Sequence, residues 1–192
     1  MPGVGCVLRV SGALAMALAA TLGAAALHRA DAAPGAAPRF KVQDTRGQTL
    51  DSHLLLRKGP VLLDFWATWC KPCHAALPEL ESWHRTYGPR GLTVIGVSID
   101  GPRNYSKVRP FVARMGITYP IVIDEDGRLQ HLYQVLAVPT AFLIDSTGTI
   151  VRVRTGYRPG EGVEFEKLIR TLLPGGAEGQ SPSDSAGGSA KP

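Results

Sequence analysis

Apolar residues in the middle of the chain gather in five short runs, which we interpret as the strands of one sheet. The runs are PVLLDFWA, LTVIGVSID, YPIVID, TAFLID and TIVRVRTG. The first contains a single acid and is otherwise apolar, as expected for a central strand buried on both faces. Ser146-Thr147-Gly148 separates the last two runs and predicts an antiparallel hairpin. RFKVQD and QTLD, on either side of Thr45-Arg46-Gly47, predict another short hairpin near the N-terminus.

Segments with a helical spacing of apolar residues lie between these runs. The clearest begins at Cys70 and ends at Tyr87, with Gly88 as its stop signal. Three further helices are predicted over residues 107–115, 128–135 and 161–173. The alternation of strands and helices indicates an α/β fold with a largely parallel central sheet.

The two ends of the chain differ from this core in composition. A basic residue precedes an apolar run over residues 10–27, and Ala30-Asp31-Ala32 supplies the small-x-small pattern that signal peptidase reads. We therefore expect residues 1–32 to be a cleaved signal peptide, and the alternative is a retained membrane anchor. Residues 175–192 are rich in Gly, Ser, Ala and Pro and are expected to form a disordered tail.

Composition and charge narrow the class of protein. The 192 residues are 44% hydrophobic and 19% charged, which is typical of a globular domain. Removal of residues 1–32 takes two of the 21 basic and one of the 16 acidic residues, leaving a net charge of +4. The remaining basic residues are scattered singly, unlike the clustered stripe of nucleic-acid-binding proteins. Cys6 leaves with the signal peptide, so Cys70 and Cys73 are the cysteines of the mature chain.

Cys70 and Cys73 form a C-x-x-C pair at the predicted junction of a buried strand and a helix. The first turn of a helix presents unpaired N–H groups and the positive end of the helix dipole, which stabilise a thiolate. We expect Cys70, at the exposed corner, to attack, and Cys73, more buried, to resolve the mixed disulfide. Lys71 adds a nearby positive charge. With His74, the same residues also match the C-x-x-C-H pattern of covalent c-type haem attachment.

Asp64 is the one acid in the apolar run that leads to the dithiol. Burial of a carboxyl group raises its pKa, which would let Asp64 exchange protons with the Cys73 thiol. The alternative is an inert, hydrogen-bonded acid at a strand edge. The position of Asp64, six residues before Cys70, favours the catalytic interpretation.

The segment DFWATWCKPC resembles the active site of the thioredoxin superfamily, which has an acid before a Phe-Trp pair and a Trp, here Trp69, before the first cysteine. Val138-Pro139-Thr140 is similar to the cis-proline loop of that superfamily. The resemblance implies a thioredoxin-like fold, in which helices flank a central mixed sheet. It also implies that Pro139 packs against the two sulfurs, that the Val138 backbone pairs with an extended substrate, and that Trp69 helps to bind it.

Residues 100–138 are longer than a plain thioredoxin allows, by roughly one helix and one strand. With the secretion signal and the N-terminal hairpin, residues 38–174 resemble the extracytoplasmic TlpA/ResA-like thiol-disulfide oxidoreductases.

Two positions depart from the pattern of that group. Ala76 stands where a Glu is common, and Glu79, one turn further, is expected to face solvent. Thr140 replaces the acid that the cytochrome-maturation branch often carries after the cis-proline.

Three other functions share parts of this pattern. A c-type haem protein would use His74 as an axial ligand. The tryptophan-rich segment between the buried strand and Cys70 instead favours a dithiol loop, with His74 as an exposed residue that takes no part in the chemistry. A peroxiredoxin-like peroxidase places a Thr three residues before its reactive Cys, whereas Thr68 lies two before Cys70. A copper-binding chaperone would use the two thiolates, since soft ligands select Cu(I), but no Met-rich segment accompanies them.

The pattern therefore predicts a thiol-disulfide oxidoreductase that acts on protein disulfides in the periplasm or after secretion, as a reductant. The resemblance implies a membrane-bound electron donor. We expect no cofactor, no resident metal and no nucleic-acid partner. Contact with a membrane is expected only if the N-terminal segment is retained.

Overall fold

The computed structural model of the protein describes residues 35–175. The predicted signal peptide, and the predicted tail beyond Gly175, lie outside the described residues. Between residues 35 and 175, no helix is both long enough and apolar enough to cross a membrane.

The strands confirm the predicted mixed sheet. Along the described chain they are β1 (Lys41–Gln43), β2 (Thr49–Asp51), β3 (Val61–Trp66), β4 (Thr93–Ser98), β5 (Ile121–Ile123), β6 (Thr140–Ile144) and β7 (Ile150–Thr155). β1 and β2 form the predicted N-terminal hairpin. The others form one sheet in the order β5-β4-β3-β6-β7, in which β3, β4 and β5 are parallel and β6 and β7 are antiparallel to their neighbours.

The helices of the described residues agree with the prediction in position more than in length. They are α1 (Ser52–Leu56), α2 (Lys71–Tyr87), α3 (Tyr105–Met115), α4 (Arg128–Leu132) and α5 (Gly162–Leu172), and a 3-10 turn over Gly88–Arg90 follows α2. α3 and β5 form the predicted helix-strand insertion.

Two helices differ from the expectation. α1 was not predicted because its five residues are too few to show a helical period; the Asp51 side chain caps it by accepting a hydrogen bond from the His53 N–H. α4 ends at Leu132, three residues before its predicted end. The backbone of Gln134 has a φ of 53°, in the left-handed region, which a continuing helix does not allow.

The central strand β3 divides the core into two layers. All six of its residues are buried, and successive side chains point to opposite faces of the sheet. Leu62 and Trp66 join the apolar layer under α2, α3 and α5, whereas Leu63 and Phe65 join the layer under α1 and α4. Asp64 lies between Leu62 and Trp66 on the same alternation, so its carboxyl group faces the α2 layer.

Candidate active site

The cysteine pair lies at the carboxyl end of the central strand. β3 ends at Trp66 and α2 begins at Lys71, which makes Cys70 the N-cap residue of α2. Cys70 and Cys73 form a disulfide with their Cα atoms 5.3 Å apart. The backbone N–H of Cys73 donates to the Sγ of Cys70 at 3.2 Å. This N–H and the helix dipole favour negative charge on Cys70 once the disulfide is reduced.

The two cysteines differ in exposure in the predicted direction. Cys73 is completely buried, and Cys70 is 4% exposed. The expectation that Cys70 sits at an exposed corner is wrong for the disulfide form, because Cys70 packs in the apolar layer that also holds Trp66 and Leu77. Only the edge of Cys70 reaches solvent.

A buried acid holds the loop that leads into the disulfide. Asp100 follows β4 and accepts hydrogen bonds from the Thr68 N–H at 2.8 Å, the Thr68 hydroxyl at 2.6 Å and the Ser98 hydroxyl at 2.8 Å. Sequence reasoning missed this residue. The position of Asp100 directly after a buried strand could have predicted its place near the cysteines, because β3 and β4 are parallel and their carboxyl ends meet at one edge of the sheet.

His74 is anchored to the same loop. Its Nε2 lies 2.9 Å from the carbonyl oxygen of Thr68, and its ring centroid lies 4.8 Å from that of Phe111. The expectation of an exposed bystander is therefore wrong, since the ring is half-buried and joins α2 to the Thr68 carbonyl and to α3. Among residues 35–175, no group of three or more His, Cys, Asp and Glu side chains is arranged to hold a metal ion.

Asp64 is buried as predicted, with 1% of its surface exposed. Neither carboxyl oxygen has a hydrogen-bond partner within the described part of the chain. Burial raises the pKa of Asp64 to about 8, and this effect exceeds the opposing influence of the Arg154 charge; Glu79 raises the pKa further. The carboxyl group is thus mostly protonated at neutral pH.

Glu79 does not face solvent, contrary to the expectation. Its Oε1 lies 2.7 Å from Nη1 of Arg154, and the Glu79 and Arg154 side chains are 20% and 9% exposed. The helical spacing of α2 places Glu79 at the edge of its buried face, and Arg154 of β7 supplies the partner. Sequence reasoning missed Arg154, because an Arg in an edge strand usually indicates a solvated position.

The Val138–Pro139 peptide bond is cis. Pro139 is buried, and Val138 is half-buried against both apolar layers. β6 begins at the next residue and is antiparallel to β3, with Thr140 opposite Phe65. The start of β6 therefore lies beside the end of β3, at the same edge of the sheet as the disulfide.

Two large apolar side chains are exposed near this edge. Trp69, which directly precedes Cys70, is 60% exposed, and Leu136, which precedes the cis bond by two residues, is 97% exposed. Exposed apolar side chains next to a reactive group are typical of a surface that contacts a partner.

Comparisons with known proteins agree with this geometry. The model of the AhpC/TSA family matches residues 34–153. The chain is 35% identical over 128 residues to the thiol-disulfide oxidoreductase ResA of Geobacillus kaustophilus, covering 67% of this chain and 72% of that protein. It is 33% identical over 120 residues to ResA of Bacillus subtilis, covering 62% of this chain and 65% of that protein.

Solved structures give the same result for the fold. A thiol:disulfide interchange protein of the thioredoxin family from Chlorobium tepidum superposes with a TM-score of 0.63 at 26% identity, covering 74% of this chain and 98% of that one. StoA from Bacillus subtilis superposes with a TM-score of 0.58 at 25% identity, covering 68% and 98%. The chain has the thioredoxin-like fold and belongs to the AhpC/TSA family, within which it is a thiol-disulfide oxidoreductase of the ResA group.

Proposed function

We propose that this oxidoreductase reduces protein disulfides, with Cys70 as nucleophile and Cys73 as resolving thiol. The observation that carries the proposal is the Cys73 N–H directed at the Cys70 Sγ at the start of α2. Cys70 also keeps some exposure while Cys73 has none, so a client disulfide reaches Cys70 first. The Cys70 thiolate attacks one client sulfur, the client S–S bond breaks, and the other client sulfur leaves as a thiolate.

Asp64 assists the resolving step. The ionised fraction of Asp64, which is the minor form at neutral pH and grows as the pH rises toward 8, accepts the proton of the Cys73 thiol. Cys73 then attacks the Cys70 Sγ, which breaks the bond between Cys70 and the client. The client leaves as a dithiol with two electrons, and the Cys70–Cys73 disulfide forms. A carboxyl group with a pKa of about 8 is matched to a thiol with an ordinary pKa of about 8.5, so the proton passes easily in either direction.

The client binds across the edge that holds Trp69 and the cis bond. In this proposal the backbone of Val138 pairs with an extended client segment, and Pro139 keeps that segment beside the sulfurs. The exposed ring of Trp69 covers apolar residues next to the client cysteine. Support comes from the antiparallel register of β6 and β3, which brings residues 138–139 to the end of β3.

The site of action is outside the cytoplasm. Residues 1–32 act as a signal peptide, residues 38–174 form the catalytic domain, and a membrane-bound donor returns two electrons to the Cys70–Cys73 disulfide. N-terminal sequencing of the protein recovered from its host tests this. A mature chain that begins at Ala33 supports export with cleavage, whereas an intact Met1 in a cytoplasmic fraction contradicts it.

The redox reaction is tested by equilibrating the protein in buffers of defined thiol-disulfide ratio and counting alkylated cysteines by mass spectrometry. We expect Cys70 and Cys73 to be modified together in one two-electron transition, with a potential below about −200 mV, as for reductants of this superfamily. A potential above about −150 mV contradicts the reducing direction. Failure of the two cysteines to form a reversible disulfide contradicts the whole proposal.

A further inference from the structure

Three neighbouring strands place Asp64, Ala141 and Arg154 in one row. Asp64 of β3 pairs with Ala141 of β6, and Ala141 pairs with Arg154 of β7. Directly paired residues project to the same face, and neighbouring strands are about 4.8 Å apart, so the Cα atoms of Asp64 and Arg154 are about 10 Å apart. The strand residue between Asp64 and Arg154 is Ala141, whose side chain is small.

The guanidinium group of Arg154 is held in a largely buried position. Its Cζ lies 5.5 Å from the ring centroid of Trp83, 5.0 Å from that of Phe165 and 5.8 Å from that of Tyr157. Its Nη1 donates to Glu79 at 2.7 Å. A fixed charge with little solvent around it acts on its neighbours more strongly than a surface charge does.

Glu79 is fixed as well. A Cβ atom added to Gly162, the first residue of α5, would overlap the Glu79 carboxylate. The carboxylate therefore lies directly against the N-terminal turn of α5, where the helix dipole favours an anion. Glu79 is held between that helix start and the guanidinium group of Arg154, which fixes its position.

We propose that Glu79 and Arg154 are positioning residues whose opposite charges, held beside the Asp64 row of the sheet, set the pH at which Asp64 becomes able to accept the Cys73 proton. Arg154 alone would favour the Asp64 carboxylate, and Glu79 offsets part of that attraction. Burial then decides the protonation of Asp64. The inference rests on the proposed role of Asp64 in the resolving step.

The other titratable groups around Asp64 are uncharged or compensated. Cys73 of α2 is the proton donor itself. Burial raises the pKa of Tyr119 and lowers that of His84, so both are neutral near pH 7. Glu81, further along α2, is paired with Arg85 at 2.6 Å. α3 and α5 contribute apolar side chains to this layer. Glu79 and Arg154 are thus the fixed charges through which the protonation of Asp64 is adjusted.

The test is the titration of the Asp64 carboxyl carbon by NMR in the disulfide form, assigned with Asp64→Asn. We expect Glu79→Gln to move the midpoint to lower pH and Arg154→Gln to move it to higher pH, each by about one pH unit. The double variant should return close to wild type, since both charges are gone. Arg154→Lys keeps the charge and should also stay close to wild type. A purely structural pair would not give shifts of opposite sign.

A second measurement follows the rate of the resolving step against pH, with a client peptide disulfide. The midpoint of this profile should move in the same order as the NMR midpoint. Shifts of the same sign in both single variants, or no shift above about 0.3 pH units, which is roughly a third of the shift expected for a neighbouring charge, would overturn the inference. If Arg154→Gln does not fold, the inference is tested by Glu79→Gln, which should lower the Asp64 midpoint, and by Arg154→Lys, which should leave it unchanged. Absence of disulfide turnover in the wild type would instead overturn the proposed function, while the NMR titration still decides the effect on Asp64.

Discussion

The buried carboxylate of Asp100 accepts two hydrogen bonds from Thr68, one from its backbone N–H at 2.8 Å and one from its hydroxyl at 2.6 Å. Thr68 lies two residues before Cys70, and its carbonyl oxygen is hydrogen-bonded to Nε2 of His74. The end of β4 and the start of α2 are therefore joined through a single loop residue. This joint fixes the backbone on which Cys70 is presented.

Loss of the Asp100 carboxylate should destabilise the protein strongly. Asp100→Asn replaces one acceptor oxygen with an NH2 donor and leaves a Thr68 or Ser98 donor without an acceptor, so the free energy of unfolding should fall by about 3 kcal/mol. Thr68→Val removes only the hydroxyl donor and should cost about 1 kcal/mol. Urea denaturation of the disulfide forms measures both. A loss below 0.5 kcal/mol in Asp100→Asn, the range typical of surface substitutions, would show that the joint is not structural.

Asp64 should make the stability depend on pH. Its pKa is raised from an ordinary value of 3.8 to about 8 in the folded chain. Between these values the unfolded chain has released a proton that the folded chain keeps, so the free energy of unfolding falls as pH rises. From pH 5 to pH 8, wild type should lose about 2 to 4 kcal/mol more than Asp64→Asn.

Urea denaturation of wild type and Asp64→Asn, each in its disulfide form, at several pH values checks this prediction. Glu125→Gln, which removes an exposed acid, is the matched control and should follow wild type. Parallel curves for wild type and Asp64→Asn would mean that Asp64 titrates as an ordinary carboxyl group.

Gly162 should be required for the position of Glu79. Gly162→Ala puts a methyl group where the Glu79 carboxylate lies, so it should cost about 1 kcal/mol although Ala favours helix formation. Gly101→Ala is the control, because a Cβ there would meet nothing within 4 Å. Thermal or urea unfolding compares the two. A Gly162→Ala variant as stable as Gly101→Ala would show that the contact is easily relieved.

Trp69 should affect clients and not the fold. Its ring is 60% exposed, so Trp69→Ala should change the free energy of unfolding by less than about 0.5 kcal/mol. Turnover of a protein disulfide should fall about tenfold, the equivalent of about 1.4 kcal/mol of contact, while turnover of a small disulfide stays nearly constant. Leu54→Ala, an exposed apolar residue of α1, is the control. Equal loss on both substrates would contradict a client-binding role.

Much of the fold could be predicted from the sequence because its strands have strong patterns. The run around β3 is continuously apolar, and short turn signals separate the hairpin strands. α1 was missed because five residues do not complete two helical turns. The end of α4 was misplaced because Val135 continues the apolar spacing while the backbone of Gln134 has already left the helix. The spacing of apolar residues predicts which positions are buried, but it does not predict the residue at which the backbone leaves the helix.

The site was predictable to the extent that it is local. Cys70, Cys73 and Asp64 lie within ten residues, and their order along a strand and helix could be inferred. Asp100 and Arg154 reach the site through strand pairing, which a single sequence does not specify. Glu79 was assigned to solvent for the same reason, since its partner is 75 residues away.

The most direct test of the central claim is trapping of mixed disulfides with single-cysteine variants. Cys73→Ser should accumulate a covalent complex with a client disulfide through Cys70, and dithiothreitol should release it, because the resolving thiol is absent. Cys70→Ser should accumulate none, since Cys73 is completely buried. Trapping by Cys70→Ser as efficient as that by Cys73→Ser, or no trapping by Cys73→Ser, would contradict the assignment of Cys70 as the nucleophile.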